Sequence, residues 1–255
     1  MIRRWLPPLL LVVALLAAWE IYADSGAADS FVLPAPHAIA QAGFDNTGLL
    51  LSNLAVTARE VGFGIAVALL VGFVLAVAIH FSPTLRRAFY PLAVGSQAVP
   101  IPVVAPLLVF WWGFGAFPKL AVIVLICFFP IVVTTLGGLE TVDPELLKLM
   151  RTFDASRWQQ FRRVELPSAL PGLLTGIKIA AVFSVIGAVF GEQDSGSGSG
   201  LGYLLNATFA NYEPAEEFAT VCVLSAFAIL LFVLLTVAER RMLPWAYQMK
   251  EIQSR

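Results

Sequence analysis

The chain has 255 residues, of which 59% are hydrophobic and only 13% charged, against roughly 25% charged in ordinary soluble domains. Its formal net charge is −1, so it lacks the basic excess that marks nucleic-acid binding, and nucleic acid is excluded as a partner. Such a composition belongs in a membrane, where Cys127 and Cys222, far apart in apolar runs with no Cys-x-x-Cys pair, both read as small buried hydrophobes.

A bilayer core about 30 Å thick takes about 20 mostly apolar helical residues to cross. The first such run is Trp5 to Tyr22. Arg3 and Arg4 precede it as they would a secretory leader, but no clear Ala-x-Ala site follows and further apolar runs come behind, so a retained anchor is expected. Residues 1–52 thus form an anchor helix and an external segment, and residues 53–255 the main membrane domain. The second run is Val56 to Phe81. The third, Tyr90 to Trp112, carries Pro91, Pro100, Pro102 and Pro106, which withhold backbone donors and should break the helix. Membranes tolerate such breaks where backbone is buried in protein or lines a cavity. Gln97, Pro100, Pro102, Pro106 and Trp111 are therefore candidate residues of a solute path; the alternative is a kinked packing helix with Trp111 and Trp112 in the interfacial aromatic belt.

A fourth run, Leu120 to Leu139, leads into a charged insert, "DPELLKLMRTFDASRWQQFRRVELPSALPGLL", from Asp143 to Leu174. Asp143 is an N-cap and Pro144 suits the first helical position, so a short helix runs to about Thr152. Ser156 with Gln159 makes a capping box that opens a second helix, Arg157 to Glu165, which Pro167 is expected to end. Asp154 and Ala155 form the turn between them, because Asp tolerates a left-handed conformation. Leu146, Leu147, Met150, Phe153, Trp158, Phe161 and Val164 recur at three- and four-residue steps, giving each helix an apolar face. That pattern fits an interfacial helix resting on lipid headgroups, and equally a helix set into a groove on a soluble partner. Periodicity does not separate the two.

The fifth run, Leu173 to Phe190, is followed by the glycine-rich "GSGSGLG", which misses the dinucleotide spacing and follows no strand; it reads as an exposed loop or a partner contact. The sixth is Phe218 to Val237. These runs predict an all-α polytopic fold with about six transmembrane helices. Arg3, Arg4, Arg86, Arg87, Lys148, Arg151, Arg157, Arg162, Arg163, Arg240, Arg241, Lys250 and Arg255 then all fall on one side, which the positive-inside rule makes cytoplasmic, together with both termini. The other side carries mainly acids: Asp24, Asp29, Asp45, Asp194, Glu213, Glu216 and Glu217.

Catalytic chemistry is not legible. His37 and His80 have no ligand at metal spacing, no metal site is expected, and neither His-Glu-x-x-His nor Gly-x-Ser-x-Gly occurs. No phosphate loop of the form G-x-x-x-x-G-K-[ST] occurs either, so any ATP must be bound by another chain. Arg59, Glu60, Lys119, Lys178 and Glu192 lie in or near the spans, where charge is costly and points to a pathway. Four of them, Glu192 included, sit near span ends, where snorkelling suffices; Lys178, a turn or more inside the fifth span, is the strongest pathway candidate.

The insert resembles the cytoplasmic "EAA" loop of ATP-binding-cassette (ABC) importer permeases. "SQAVPIPVVAPLLVFWWGFG" from Ser96, "CFFPIVVTTLGGLETVD" from Cys127, "FGEQDSGSGSGLGYLL" from Phe190 and "ERRMLPW" from Glu239 are similar to the nitrate, sulfonate, taurine and pyrimidine-precursor permeases of that class. The chain departs from the pattern at Asp154, usually Gly, at Leu146 and Leu147, usually small, and at "GEQ" from Gly191, usually Gly-Glu-Trp. The resemblance implies a type I importer permease in a bacterial cytoplasmic membrane that catalyses nothing itself. Residues 140–172 would be its coupling loop, with Glu145, Met150, Arg151, Asp154, Ala155, Ser156, Phe161, Leu166 and Pro167 as the coupling residues. It also implies two copies of an ATPase subunit holding ATP and Mg, a periplasmic or lipid-anchored substrate-binding protein, a second copy of the chain and surrounding lipid. "CFFPI" and "ERRMLPW" lean toward a thiamine precursor of hydroxymethylpyrimidine type, with sulfonate, taurine or nitrate as alternatives. A secondary transporter with no ATPase is the competing class.

Overall fold

The computed structural model describes residues 2–26, 29–196 and 198–245, with side chains from Leu6 onward. The Arg3 and Arg4 side chains, Ser197, Lys250 and Arg255 lie outside the described residues. In chain order the helices are α1 (Ile2–Asp24), α2 (Pro36–Asp45), α3 (Thr47–Phe81), α4 (Pro83–Ser96), α5 (Ile101–Trp112), α6 (Ala116–Glu140), α7 (Pro144–Thr152), α8 (Arg157–Gln160), α9 (Leu166–Asp194), α10 (Leu201–Ala210) and α11 (Pro214–Met242). No strand occurs among the described residues. Among the described residues five helical stretches are long and apolar enough to cross a membrane, or six if a bent pair counts as one span.

That pair is the proline-rich third run. α4 has 14 residues and α5 has 12, so at 1.5 Å per residue they reach only about 21 and 18 Å. They meet at a bend of 103°. Pro100 sits in extended backbone as the residue before α5, and Pro102 falls in the first turn, where a missing N–H costs nothing. The third run is therefore two half-helices.

The described residues divide into two compact units. The first comprises residues 1–57 and 198–226. Here Trp19 packs on Phe218 with ring centroids 6.2 Å apart, and Asn46 Nδ2 donates to Glu216 at 2.7 Å. The glycine-rich segment is only partly exposed. Its last residues start α10, whose first N–H groups have no intrahelical acceptor. The Gly200 N–H donates to Asn53 Oδ1 at 2.8 Å and the Leu201 N–H to Thr57 Oγ1 at 2.9 Å, both acceptors lying on α3. Cys222 is exposed rather than buried: it lines an apolar groove of about 460 Å³ with Trp19, Ile39, Phe44 and Leu50.

The second unit comprises residues 58–197 and 227–255, and its centre is the antiparallel contact of α6 with α9. Association of helices in lipid relies on close packing, which favours small residues. A Cβ on Gly138 would sit 2.9 Å from the Ala169 Cα, one on Gly172 2.5 Å from the Thr134 carbonyl oxygen, and one on Gly191 3.0 Å from the Lys119 Cα. The two backbones therefore touch along their length. α3 packs on the same helix through Gly64 and Gly72, against Ile123 and Ile131. Near the loop, Leu139, Phe161 and Ala169 form one buried cluster with Val77 and Leu166 packed against it.

Replacing Gly172 by Val should lower stability by about 1–3 kcal/mol or more, because the added atoms meet backbone that cannot move aside. Gly48→Ala, with open space around its Cβ position, serves as the control, and thermal unfolding in detergent reads both. Equal melting temperatures would remove the glycine contact from the account.

Candidate functional site

The charged insert folds as its capping residues dictate. The Glu145 N–H donates to Asp143 Oδ1 at 2.8 Å. At the other end of α7, Asp154 takes φ 53°, the Asp154 N–H donates to the Arg151 carbonyl at 3.0 Å, and the Ala155 N–H reaches back to the Met150 carbonyl at 3.1 Å. These are the two bonds of a Schellman motif, with an aspartate where glycine is usual. The capping box at the start of α8 is complete: the Gln159 N–H donates to Ser156 Oγ at 3.3 Å, and Gln159 Oε1 accepts from the Ser156 N–H at 2.8 Å. Gln160 Nε2 then bonds the Ala155 carbonyl at 2.8 Å and closes the turn.

The first helix of the insert buries no residue. Glu145, Arg151, Asp154 and Ser156 are exposed, and Met150 and Ala155 half-buried. Leu146, Leu149, Phe153 and Trp158 are all more than 40% exposed, so an apolar face stands without a protein partner among the described residues.

The second helix departs from expectation. Pro167 does not end it: α8 passes through a π-helical turn, Phe161–Glu165, directly into α9, and the helix is continuous from Arg157 to Asp194. The wider turn just before the proline absorbs the backbone bond that proline cannot donate. It also turns Phe161 and Glu165, four residues apart, inward to 3% and 2% exposure, while Arg162 and Arg163 stay outside. Leu166 and Pro167 are half-buried.

A carboxylate as deeply buried as Glu165 requires charged or polar partners. Its Oε2 lies 2.9 Å from His80 Nε2, at the end of α3, and its Oε1 is ion-paired with Arg157 Nη1. Arg157 Nη2 is also 2.9 Å from His80 Nε2. That nitrogen either donates to the carboxylate or accepts from the guanidinium, never both. Arg157 further stacks over the Phe81 ring at 5.1 Å, and Phe81 meets Phe161 with centroids 5.0 Å apart. This cluster is not legible in the sequence, because 85 residues separate Glu165 from His80.

Gln97, Pro100, Pro102, Pro106 and Trp111 are exposed on α4, α5 and the bend between them. Lys178, the strongest candidate from sequence, is ion-paired with Glu239 at 2.5 Å. Glu192 is fully buried. Lys119 does not snorkel: its side chain is 3% exposed and its Nζ lies 2.8 Å from Glu60 Oε1. Glu60 Oε2 is buried with no hydrogen-bond partner.

The other histidine also finds a carboxylate. His37 Nδ1 lies 2.5 Å from Glu20 Oε1, and that bond, with the charges of Glu20 and Asp24, raises the imidazole above its ordinary value against a smaller opposing effect of desolvation. Single ligand atoms of Glu20, Asp24 and His37 lie within 4.8 Å of one another. Spacing along the sequence hid the group because it joins the end of α1 to the start of α2.

Comparison with known proteins places this geometry. The profile described as "Binding-protein-dependent transport system inner membrane component" matches residues 68–244. The formylaminopyrimidine transport permease protein of Halalkalibacterium halodurans is 35% identical over 94% of this chain and 96% of its own length. A putative aliphatic sulfonates transport permease protein of Bacillus subtilis is 28% identical over 94% of this chain and 88% of its own. A crystal structure of an amino acid ABC transporter superposes with a TM-score of 0.65 at 16% identity, covering 78% of this chain and 96% of that one. At that identity it speaks for the fold alone.

Lys119→Met should cost about 3–5 kcal/mol by leaving Glu60 charged and unpaired, whereas Lys119→Met with Glu60→Met should be close to neutral. Thermal unfolding of the purified protein in detergent distinguishes them, and a single variant as stable as the double would show the pair to be inert.

Proposed function

The chain belongs to the family of binding-protein-dependent transport system inner membrane components, and from that premise we propose that it is the permease subunit of an ATP-driven importer for a hydroxymethylpyrimidine-type thiamine precursor. The observation that carries the coupled reading is the loop after α6. It is a rigid helix–turn–helix whose first helix buries nothing and holds an apolar face outward, as a helix-in-groove contact requires. Its occupant is an ATPase subunit, in two copies, which holds ATP and Mg; ATP-driven closure of those subunits moves the loop and rocks the spans. A periplasmic or lipid-anchored binding protein delivers the solute on the opposite side, and a second copy of this chain completes the path. The formylaminopyrimidine relative supports the substrate. The sulfonate relative supports the alternative, which the uptake measurement below decides.

This reading puts the loop and both termini in the cytoplasm. In sealed cells a cysteine introduced by Ser30→Cys should react with an impermeant thiol reagent and one introduced by Ser156→Cys should not; equal labelling of the two would reverse or redraw the topology.

Ala155→Glu tests the coupling. It adds a charge at a contact that docking would partly desolvate, where an unpaired charge costs several kcal/mol, and about 1.4 kcal/mol is tenfold in affinity. Headgroup binding would lose only about 1 kcal/mol. The substituted chain should insert normally yet lose co-purification with its ATPase and uptake of labelled formylaminopyrimidine into proteoliposomes. Wild-type behaviour in both would mean that the loop only lies on the membrane, and uptake of taurine or an alkanesulfonate in place of the pyrimidine would transfer the substrate to the alternative.

A further inference from the structure

The loop follows α6 directly, and it reaches α9 and α3 by routes of different kinds. α9 receives any displacement of α8 through covalent helix, because the backbone runs from Arg157 to Asp194 unbroken. α3 has no such connection. Next to the loop it is separated from α9 by an open apolar groove of about 510 Å³, with Leu69, Leu70 and Phe73 facing Leu166, Leu170 and Leu173. Both helices pack on α6, and beyond the groove Val77 of α3 packs on the cluster formed by Leu139, Phe161 and Ala169. A hydrogen-bonded link between α3 and the loop lies at the end of the groove, where His80 and Phe81 meet Arg157, Phe161 and Glu165.

We propose that His80 is a positioning residue that clamps α3 to the loop, so that α3 and α9 move as one lever when the loop moves. This rests on the reading that an ATPase drives the loop. Glu165 is 2% exposed, and a buried carboxylate resists separation from its partners because a lone one is strongly penalised. Arg157 and Glu165 both belong to the loop and its continuation; His80 is the member that comes from α3. Pulling α3 away would leave the carboxylate with one partner fewer and open the Phe81 and Phe161 contact to solvent. The π-helical turn is what allows the arrangement, since it brings Phe161 and Glu165 onto the α3 side together. The clamp also has a built-in tolerance: His80 Nε2 can bond either the carboxylate or the guanidinium, so a small shift of Arg157 exchanges one bond for another without freeing the helix.

The test uses the assembled transporter, permease with ATPase and binding protein, in lipid nanodiscs. Nitroxides on Leu70→Cys and Leu173→Cys face each other across the groove, in a Cys222→Ser background because Cys222 is exposed. Dipolar broadening is compared without nucleotide and after trapping with ATP and vanadate. With His80 present the broadening should be the same in both states. In His80→Ala it should match only without nucleotide and be partly lost on trapping, as α9 moves without α3. His80→Gln, which keeps an N–H for Glu165, should restore the state-independent spectrum; a merely structural role for His80 would shift both states alike. Broadening that stays equal in both states of His80→Ala, or that changes on trapping in the unsubstituted chain, overturns the clamp. Should His80→Ala fail to accumulate, His80→Leu, which fills the site without a hydrogen bond to Glu165, is read in the same way. ATPase co-purification is scored on the same samples: its loss in the unsubstituted chain would sink the coupled-permease reading, whereas its retention alongside either negative spectrum sinks the clamp alone.

Discussion

The backbone contact between α6 and α9 is the constraint on which the rest of the second unit depends. In lipid, apolar side chains gain little by meeting each other rather than acyl chains, so two helices hold together where small residues let their backbones touch. Gly138 and Gly172 lie at the loop end of this contact, and Gly191 against Lys119 at the far end. The pair is therefore antiparallel and in register over its length. Everything between Glu140 and Leu166 must close over one end of that pair, which is why the charged loop is short, capped at each helix start and turned through one left-handed residue. The opposite end has to receive Lys119, and α3, seated on α6 through Gly64 and Gly72, brings Glu60 within 2.8 Å of it.

Much of this was legible one residue at a time. Apolar run length marked the spans, and Asp143, Pro144, Ser156 and Gln159 announced the helix starts through local rules that depend on neighbours within a turn. Asp154 was readable as a left-handed position for the same reason. Pro167 misled because the rule that proline ends a helix presumes an α-helical turn before it; a π-helical turn changes the register of the backbone bonds and leaves none for the proline to make. Cys222 misled because an apolar stretch says that a residue avoids water, not that protein covers it, and α11 is little covered.

The partners of the charges were out of reach for a different reason. Glu60 and Lys119 are 59 residues apart, Lys178 and Glu239 are 61, and His80 and Glu165 are 85. A charge within an apolar run announces a cost, and the sequence offers two ways of meeting it: snorkelling or a pathway. The fold supplies a third, an ion pair between helices. Lys178 was singled out as a pathway residue because it lies deepest, yet depth is also where an unpaired ammonium would be least tolerated, and Glu239 meets it there. Snorkelling was a fair expectation for Lys119 by position along its helix; instead its ammonium is buried against Glu60.

Sorting the charges of the loop by burial explains why so oily a chain keeps them. Lys148, Arg151, Arg162, Arg163 and Glu145 are exposed, where charge has little energetic consequence. Glu165 differs, since burying it at 2% exposure would be unfavourable without Arg157 and His80, and an apolar residue of similar volume would satisfy packing at lower cost. Stability therefore gives no reason for a carboxylate at that position. What a carboxylate supplies that a leucine does not is directional bonding to two elements at once, one from the loop and one from α3, so that their relative placement is specified and not merely filled. The loop thus carries charge in two roles: an outer set that keeps its apolar face presented in water, and one inner carboxylate that makes its position consequential for the spans.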